Sequence, residues 1–169
     1  MYKKITHIPP IPKKTLVFLI TAVLVTVLDQ VTKYIILVHV PRWNVIPVIH
    51  GFFNIVHVEN PGGAFGMLAT QGPGLRAFVF IFITLLAMGL VFYLHARTPG
   101  RFMFLIIGLA MIFGGAAGNF IDRIRFGRVI DFIDIYAGAW HWPAFNVADS
   151  CITLGMIIYG YHILFDKGT

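Results

Sequence analysis

Residues 102–121 read FMFLIIGLAMIFGGAAGNFI, a run that contains no charged side chain. A helix of about 20 mostly apolar residues is what crosses the hydrocarbon core of a bilayer. Three further apolar runs lie outward from this one along the chain, at about 15–37, 77–94 and 145–165. The sequence therefore predicts four transmembrane helices.

The composition of the whole chain agrees with a membrane protein. Of its 169 residues, 58% are hydrophobic and 12% are charged, whereas soluble domains are about 45–50% apolar and about 25% charged. A soluble protein of this length could not bury so much apolar surface. We expect one polytopic membrane domain over residues 1–169, and we exclude a soluble globular domain, a disordered chain, a disulfide scaffold and a coiled coil.

The first span resembles a secretory signal peptide, because lysines precede an apolar run. No small-x-small cleavage site follows it, and the run continues past Asp29. We therefore predict an uncleaved span.

The basic residues predict the orientation of the spans. Short cytoplasmic segments of membrane proteins carry an excess of Lys and Arg. The segments facing the other side also contain arginines, but four lysines precede the first span, and with them we place both termini in the cytoplasm. The net charge of +6 is then assigned to loops that face anionic lipid, not to nucleic-acid binding. The residues that we place in the cytoplasm are Lys3, Lys4, Lys13, Lys14, Arg97, Arg101 and Lys167.

Two exoplasmic segments follow from this topology. Residues 41–75 contain the β-rich run 54–58 and the turn signal Gly62-Gly63, which predict a small sheet on the membrane surface. Residues 122–144 contain aromatic residues suited to the headgroup zone, and we predict a short interfacial helix near 131–140.

The polar residues of the spans gather at one end. Asp29 lies about 21 Å along the first helix from its start, Asn119 and Asp122 end the third span, and Asn146 and Asp149 begin the fourth. The three-residue spacing of Asn146 and Asp149 predicts that they share one face of that helix. Ionisable residues inside a membrane are expensive and mark functional sites. A channel or proton path would spread them across the full depth. The clustering predicts a site that opens to the outer surface.

Several kinds of chemistry fit this sequence poorly. The single serine, Ser150, lies in no Gly-x-Ser-x-Gly elbow, and the single cysteine, Cys151, lies in an apolar span as a small hydrophobe. There is no His-Glu-x-x-His motif. His57 and Glu59 share a strand face and could touch a metal, but two loosely spaced ligands are a weak signal, so a solvated strand face is preferred. We predict no metal and no cofactor.

The acidic residues remain. Asp29 precedes Lys33 by one helical turn, the spacing of an ion pair, which suits a structural role as well as a catalytic one. Asp122, beside Arg123, is predicted to join a buried polar network. Glu59 is predicted to be a solvated loop residue.

Asp131 and Asp149 differ from the other acids because both have polar supports and apolar neighbours. Two carboxylates close together in a low dielectric hold one proton between them. One can then activate a water while the other protonates a carbonyl oxygen. Periodicity alone does not select this pair, since Asp134 would share a helical face with Asp131.

Five blocks of this sequence together resemble the bacterial lipoprotein signal peptidases, also called signal peptidase II. They occur in the family's order and cover almost the whole chain. The second block departs from the family's usual Asn-Thr-Gly-Ala-Ala-Phe at Pro61 and Gly63. The blocks are DQVTK at 29–33, ENPGGAFG at 59–66, GGAAGNFIDR at 114–123, GRVIDF at 127–132 and PAFNVADS at 143–150.

The resemblance implies an aspartyl protease of the bacterial inner membrane with catalytic residues Asp131 and Asp149. It implies four helices, an exoplasmic β-cradle and a short periplasmic helix. The substrate would be a diacylglyceryl-modified prolipoprotein, cut N-terminal to its lipidated cysteine, and the inhibitor would be globomycin. We expect a monomer with its active site in the periplasmic leaflet. The supporting residues would be Asp29, Lys33, Asn60, Asn119, Asp122, Arg123 and Asn146.

Two other functions stay open at the level of sequence. A small proton- or cation-coupled transporter subunit could use Asp29 and Asp149, although the one-sided polar cluster disfavours it. A structural bundle could use the small-residue face of Ala110, Gly114 and Gly118, which we expect to pack within the chain.

Overall fold

The computed structural model describes residues 10–62 and 72–165. Within these ranges, four helices are long and apolar enough to cross a membrane, which confirms the four predicted spans. Lys3, Lys4, Lys167 and the end of the block 59–66, including Gly63, lie outside the described residues. The helices are α1 (Lys13–His39), α2 (Pro73–Arg97), α3 (Met103–Phe126) and α4 (Val147–Phe165).

Helix α3 forms the centre of the bundle and packs against the other three helices. Its small-residue face points inward, as predicted: Ala110 is fully buried, Gly114 lies against Ala22, and Gly118 lies against the side chain of Asp29. A Cβ atom at Gly114 would come within 2.5 Å of the Ala22 carbonyl oxygen. Small residues thus let the backbones of α1 and α3 approach closely.

The bundle has two chemically different halves. The half at the start of α1 and the end of α4, here called the terminal half, has an apolar core that contains Phe18, Ile106 and Leu109. Lys14 Nζ closes this end by donating to the last carbonyls of α2, at Ala96 and Thr98 (3.1 and 2.9 Å). The opposite half, here called the sheet half, carries the extramembrane strands.

The strands form one antiparallel sheet in the order β1-β2-β3-β4. The first two strands come from the segment 41–75, where a sheet was predicted, and the others come from the segment before α4. The strands are β1 (Val45–Ile49), β2 (Phe53–Asn60), β3 (Val129–Ala137) and β4 (Trp140–His141).

The helix predicted near 131–140 is wrong, because residues 129–137 form strand β3. This strand is rich in β-branched residues, which favour extended backbone, and it pairs with β2 along its length. Asp131 and Asp134, three residues apart, therefore lie on opposite faces of a strand and do not share a helical face.

Helix α3 continues five residues beyond the predicted end at 121, so Asp122 and Arg123 are helical. The helix ends at Phe126 and is capped by Gly127, whose φ of 68° is the left-handed conformation that favours glycine at this position. Only two residues separate α3 from β3. Asp131 is consequently placed just beyond the end of α3.

Candidate active site

Lys33 is the centre of a buried ionic cluster between α1 and α3. Its Nζ atom lies 2.9 Å from Asp29 Oδ2 and 2.7 Å from Asp122 Oδ2, and it donates to Asn119 Oδ1 at 2.9 Å. The ion pair predicted from the spacing of Asp29 and Lys33 is confirmed. Charges this deeply buried persist only when they are paired and hydrogen-bonded, so the cluster fixes these side chains relative to one another.

Gln30 completes this cluster and was absent from the predicted site. Its Nε2 donates to Asp122 Oδ1 at 2.9 Å and to the Gly118 carbonyl at 3.1 Å. Asp122 also accepts from the backbone N–H of Ile130 at 3.2 Å. The buried network predicted for Asp122 is confirmed. The sequence also contained a signal for Gln30, because this amide stands beside Asp29 in an otherwise apolar run.

Asp29 also links the cluster to α4. Its Oδ1 accepts the backbone N–H of Ala148 at 2.9 Å. The first N–H groups of a helix have no acceptor within the helix and favour a negative charge. Asp29 therefore holds the first turn of α4 against α1.

Asn146 and Asp149 form a reciprocal cap at the start of α4. The Asp149 N–H donates to Asn146 Oδ1 at 2.9 Å, and the Asn146 N–H donates to Asp149 Oδ2 at 3.3 Å. This is the pattern of a capping box. Sequence spacing placed both residues on one helical face, whereas Asn146 precedes the helix and caps it. The backbone of Asp149 is thereby fixed.

Two asparagine amides join the carboxylates of Asp131 and Asp149. Asn146 Nδ2 donates to Asp131 Oδ1 at 2.7 Å, and Asn119 Nδ2 donates to Asp149 Oδ1 at 2.8 Å. The two amides also contact each other, with Asn146 Nδ2 lying 3.3 Å from Asn119 Oδ1. Because Lys33 occupies that same oxygen, it orients the Asn119 amide so that its N–H points at Asp149.

The second oxygen of Asp131 faces β2. Asn60 Nδ2 donates to Asp131 Oδ2 at 3.0 Å, and Asn60 Oδ1 accepts the Gly62 N–H at 2.9 Å. Each carboxylate oxygen of Asp131 therefore receives one amide N–H. The structure brings together the residues that the resemblance named, from five different elements.

The surroundings of Asp131 favour its protonated form. Burial, and then the nearby charge of Asp149, raise the pKa of Asp131 from 3.8 to about 7, although the amides of Asn60 and Asn146 and the charge of Lys33 lower it. A carboxylic acid with this pKa can hold or release a proton near neutral pH, as acid–base catalysis requires. The charge of Asp149 is thus close enough to Asp131 to favour protonation of the Asp131 carboxyl.

Arg123 supplies positive charge at the edge of this pair. Its guanidinium donates to the Asn119 carbonyl at 3.3 Å, and its Cζ lies 5.7 Å from the centroid of the Phe80 ring. It lies within electrostatic range of both Asp131 and Asp149.

An apolar groove of about 480 Å³ opens beside Asp149. The two hydroxyl groups in its wall are occupied, since Ser150 donates to the Asn146 carbonyl and Thr153 donates to the Asp149 carbonyl. Sequence reasoning did not identify the groove, which forms between the segment 142–145 and α4. Its lining residues are Trp142, Phe145, Asp149, Ser150, Thr153 and Leu154.

Glu59 is not the solvated loop residue that we predicted. It lies on β2, and its carboxylate forms ion pairs of 2.7 Å with Arg42 and with Arg128. His57 does not lie on the solvated strand face that we predicted either: it is buried, with its Nδ1 2.7 Å from the Val40 carbonyl oxygen. Among the described residues, no group of three His, Cys, Asp or Glu side chains could hold a metal ion.

Comparison with known sequences identifies the family. A family model described as Signal peptidase (SPase) II matches residues 21–165. The lipoprotein signal peptidase of Desulforapulum autotrophicum is 49% identical over 148 residues, which are 88% of this chain and 91% of the relative. That of Syntrophus aciditrophicus is 46% identical over 145 residues, 86% of this chain and 90% of the relative.

Two solved structures of bacterial membrane enzymes, determined by the in meso method, share the fold. Their TM-scores are 0.79 and 0.78 at 34% and 35% identity. Each match covers 89% of this chain, and 89% and 94% of the solved chains. These likenesses favour a protease over the transporter subunit that the sequence left open. The chain belongs to the lipoprotein signal peptidase (signal peptidase II) family, the membrane proteases that remove signal peptides from prolipoproteins.

Proposed function

We propose that Asp131 and Asp149 are the catalytic dyad of this protease and that it cuts diacylglyceryl-modified prolipoproteins N-terminal to the lipidated cysteine. The observation that carries the proposal is the position of Asn146. This buried residue donates to Asp131 and caps the helix that carries Asp149, and Asp149 lines an apolar groove.

The dyad begins the reaction with one proton. We assign this proton to Asp131, whose pKa is about 7. Asp149 is then the base, and N–H groups of Asn119 and Asn146 hold its two oxygens in place.

Peptide hydrolysis then proceeds in two steps. Asp149 takes a proton from a water molecule, the water oxygen bonds to the scissile carbonyl carbon, and Asp131 protonates the carbonyl oxygen, so that a tetrahedral diol forms. Asp149 next donates its proton to the amide nitrogen, the C–N bond breaks, and a diol hydroxyl returns a proton to Asp131. The products are the signal peptide's carboxyl group and the free amino group of the cysteine, and the dyad again holds one proton.

The groove supports an apolar substrate. Its wall follows α4 from Asp149 through Thr153 to Leu154, which is one face of a helix. A hydrophobic signal peptide can follow this wall from the dyad into the bilayer. The lipidated cysteine would then remain at the membrane surface, where its acyl chains enter the same leaflet.

The orientation belongs to the same proposal. The lysines at the start of α1 and the arginines near the α2–α3 turn all lie in the terminal half. By the positive-inside rule, this half faces the cytoplasm of the bacterial inner membrane, and the dyad faces the periplasmic leaflet. A reporter that is active only outside the membrane should give no signal when fused to the C-terminus. A strong signal there would overturn the orientation.

The direct test uses the purified protein in detergent. A synthetic precursor peptide with a diacylglyceryl cysteine should be cut before that cysteine, as judged by product masses, and the same peptide with an unmodified cysteine should not. We expect a monomer to be active, and we expect globomycin to block it. Activity should survive a chelator, a thiol alkylator and a serine-directed phosphonate. Loss to the chelator with recovery by zinc would contradict the dyad mechanism.

A further inference from the structure

Glu59 is bound to two arginines at the edge of the active site. Its side chain is 10% exposed, whereas the side chains of Arg42 and Arg128 are 59% and 41% exposed. Both ion pairs measure 2.7 Å. An acid held this way on β2, one residue before Asn60, constrains the end of the strand that contacts Asp131.

The pairing of β2 with β3 is irregular just before this point. The register shifts between Ile55 and Val58, and three pairs follow, in which Val58, Glu59 and Asn60 face Asp131, Ile130 and Val129. A bulge of this kind disrupts the ladder locally. The regular pairs that precede it therefore do not dictate the register of the three that follow.

Two diagonal side-chain contacts connect residues 59 and 60 of β2 to the segment that contains β3. Glu59 reaches Arg128, two residues before its direct partner Ile130, and Asn60 reaches Asp131, two residues after its direct partner. Such diagonal neighbours lie within reach of long side chains. Adjacent residues of a strand point to opposite faces of the sheet. The Asn60–Asp131 contact therefore lies on the face that carries the dyad, and the Glu59–Arg128 contact lies on the other face.

We propose that the Glu59–Arg128 ion pair is a positioning pair that fixes the register of the last three residues of β2, so that the Asn60 amide meets Asp131. The proposal rests on the dyad assignment. A slip of one residue would turn Asn60 to the other face of the sheet, and Asp131 would lose one of its two amide donors.

Arg42 provides a matched control. Arg42 binds the other oxygen of the Glu59 carboxylate. It lies in the turn between α1 and β1, and this turn contains none of the residues around the dyad. Removal of Arg42 deletes an ion pair of equal length without loosening the link between β2 and β3.

The test compares Glu59→Gln, Arg128→Gln and Arg42→Gln in the full-length protein with the lipid-modified peptide. We expect Glu59→Gln and Arg128→Gln to lower kcat roughly tenfold, less than the hundredfold that a 1 Å misplacement can cause, with KM nearly unchanged. Arg42→Gln should change kcat less than about twofold, as is typical of an exposed ion pair.

Two further measurements separate positioning from general destabilisation. The Asn60 amide stabilises the Asp131 carboxylate, so its displacement should move the alkaline limb of the pH–rate profile to higher pH. Asn60→Ala should give the same shift, and Glu59→Gln should then add almost nothing, because the pair acts through Asn60. The double variant Glu59→Arg with Arg128→Glu, which reverses both charges, should recover part of the kcat that the single variants lose. If the single variants do not fold, this double variant is measured in their place.

Three results would overturn the proposal: equal losses in the Arg42 and Arg128 variants, additive effects of Glu59→Gln and Asn60→Ala, or an unshifted pH profile. These results would leave the dyad intact. Failure of the dyad itself would appear separately, as activity retained in Asp131→Asn.

Discussion

Each half of the bundle contains fully buried side chains, and the two sets differ in their chemistry. In the terminal half, Phe18, Ile106 and Leu109 are 1% exposed or less, and in the sheet half so are Asp29 and Asp122. The first set consists of hydrocarbon. The second consists of charges that are satisfied by one another and by amides.

This difference shows how the molecule separates stability from function. Apolar side chains tolerate small shifts, because van der Waals packing is not strongly directional. Buried charges tolerate few such shifts, because their mutual attraction offsets the cost of desolvation only when their geometry is good. The terminal half therefore holds the helices together, and the sheet half fixes where the carboxylates lie.

The largest expected effect is on the dyad. Either Asp131→Asn or Asp149→Asn should lower turnover by at least about 10²–10⁴-fold, the usual loss on removal of a general acid or base. The double variant should be little worse than either single one, because the pair acts as a unit. Single-turnover cleavage of the lipid-modified peptide measures this.

Asp131→Asn should also separate catalysis from stability. Since the folded pKa of Asp131, about 7, exceeds the ordinary 3.8, the folded state binds more protons between these values, and stability falls as pH rises through that window. Asp131→Asn removes this loss, so its thermal midpoint at pH 8 should be at least that of the parent. Turnover above roughly a tenth of the parent's would show that Asp131 is not catalytic.

The next largest effect is expected at Lys33. Lys33→Met leaves two buried carboxylates unpaired, which should cost about 3–5 kcal/mol in stability, and it frees the Asn119 amide, which should lower kcat about 10²-fold. Thermal unfolding in detergent and kcat measure the two effects.

A matched control lies two turns earlier on α1. Thr26 donates to the Gly114 carbonyl at 3.0 Å, and Thr26→Val should cost only about 0.6 kcal/mol, the average for hydrogen bonds between membrane helices. Adding Asp122→Asn to Lys33→Met should restore part of the stability. An equal loss in both single variants would remove the distinction between the halves.

A smaller effect is expected from pH. One carboxyl of the dyad must be protonated, and the pKa of Asp131 is about 7, so kcat/KM should fall about tenfold per pH unit above that value. The profile should be measured with a peptide that has no group titrating between pH 6 and 9. A flat profile to pH 9 would assign the proton elsewhere.

The smallest effect on catalysis should come from the terminal half. Leu109→Ala should destabilise the protein by about 2–5 kcal/mol, yet kcat per folded molecule should stay within about twofold of the parent, because no site residue contacts this core. The unfolding midpoint and active-site titration with globomycin separate the two quantities. A tenfold fall in kcat would mean that the halves are mechanically coupled.

Local sequence predicted the features that depend on local spacing. The length of the apolar runs gave four spans, the spacing of Asp29 and Lys33 gave their ion pair, and the direction of each span placed the polar residues at one end. Asn119 and Asn146 were named by resemblance. None of these inferences requires knowledge of which distant segments meet.

Features that depend on distant pairing were missed. Residues 129–137 form a strand because β2 lies beside them, and the partners of Glu59 lie 17 residues before it and 69 after it. The capping box of Asn146 and Asp149 was legible in the sequence, but we assigned its three-residue spacing to a helix face.

The left-handed turn at Gly127 has a consequence for the membrane in which the protein works. With only two residues between α3 and β3, and with Ile130 bonded back to Asp122, a change in the tilt of α3 carries Asp131 with it. Helices tilt to match the thickness of the surrounding bilayer. Asp131 is therefore anchored to a membrane span as well as to the extramembrane sheet.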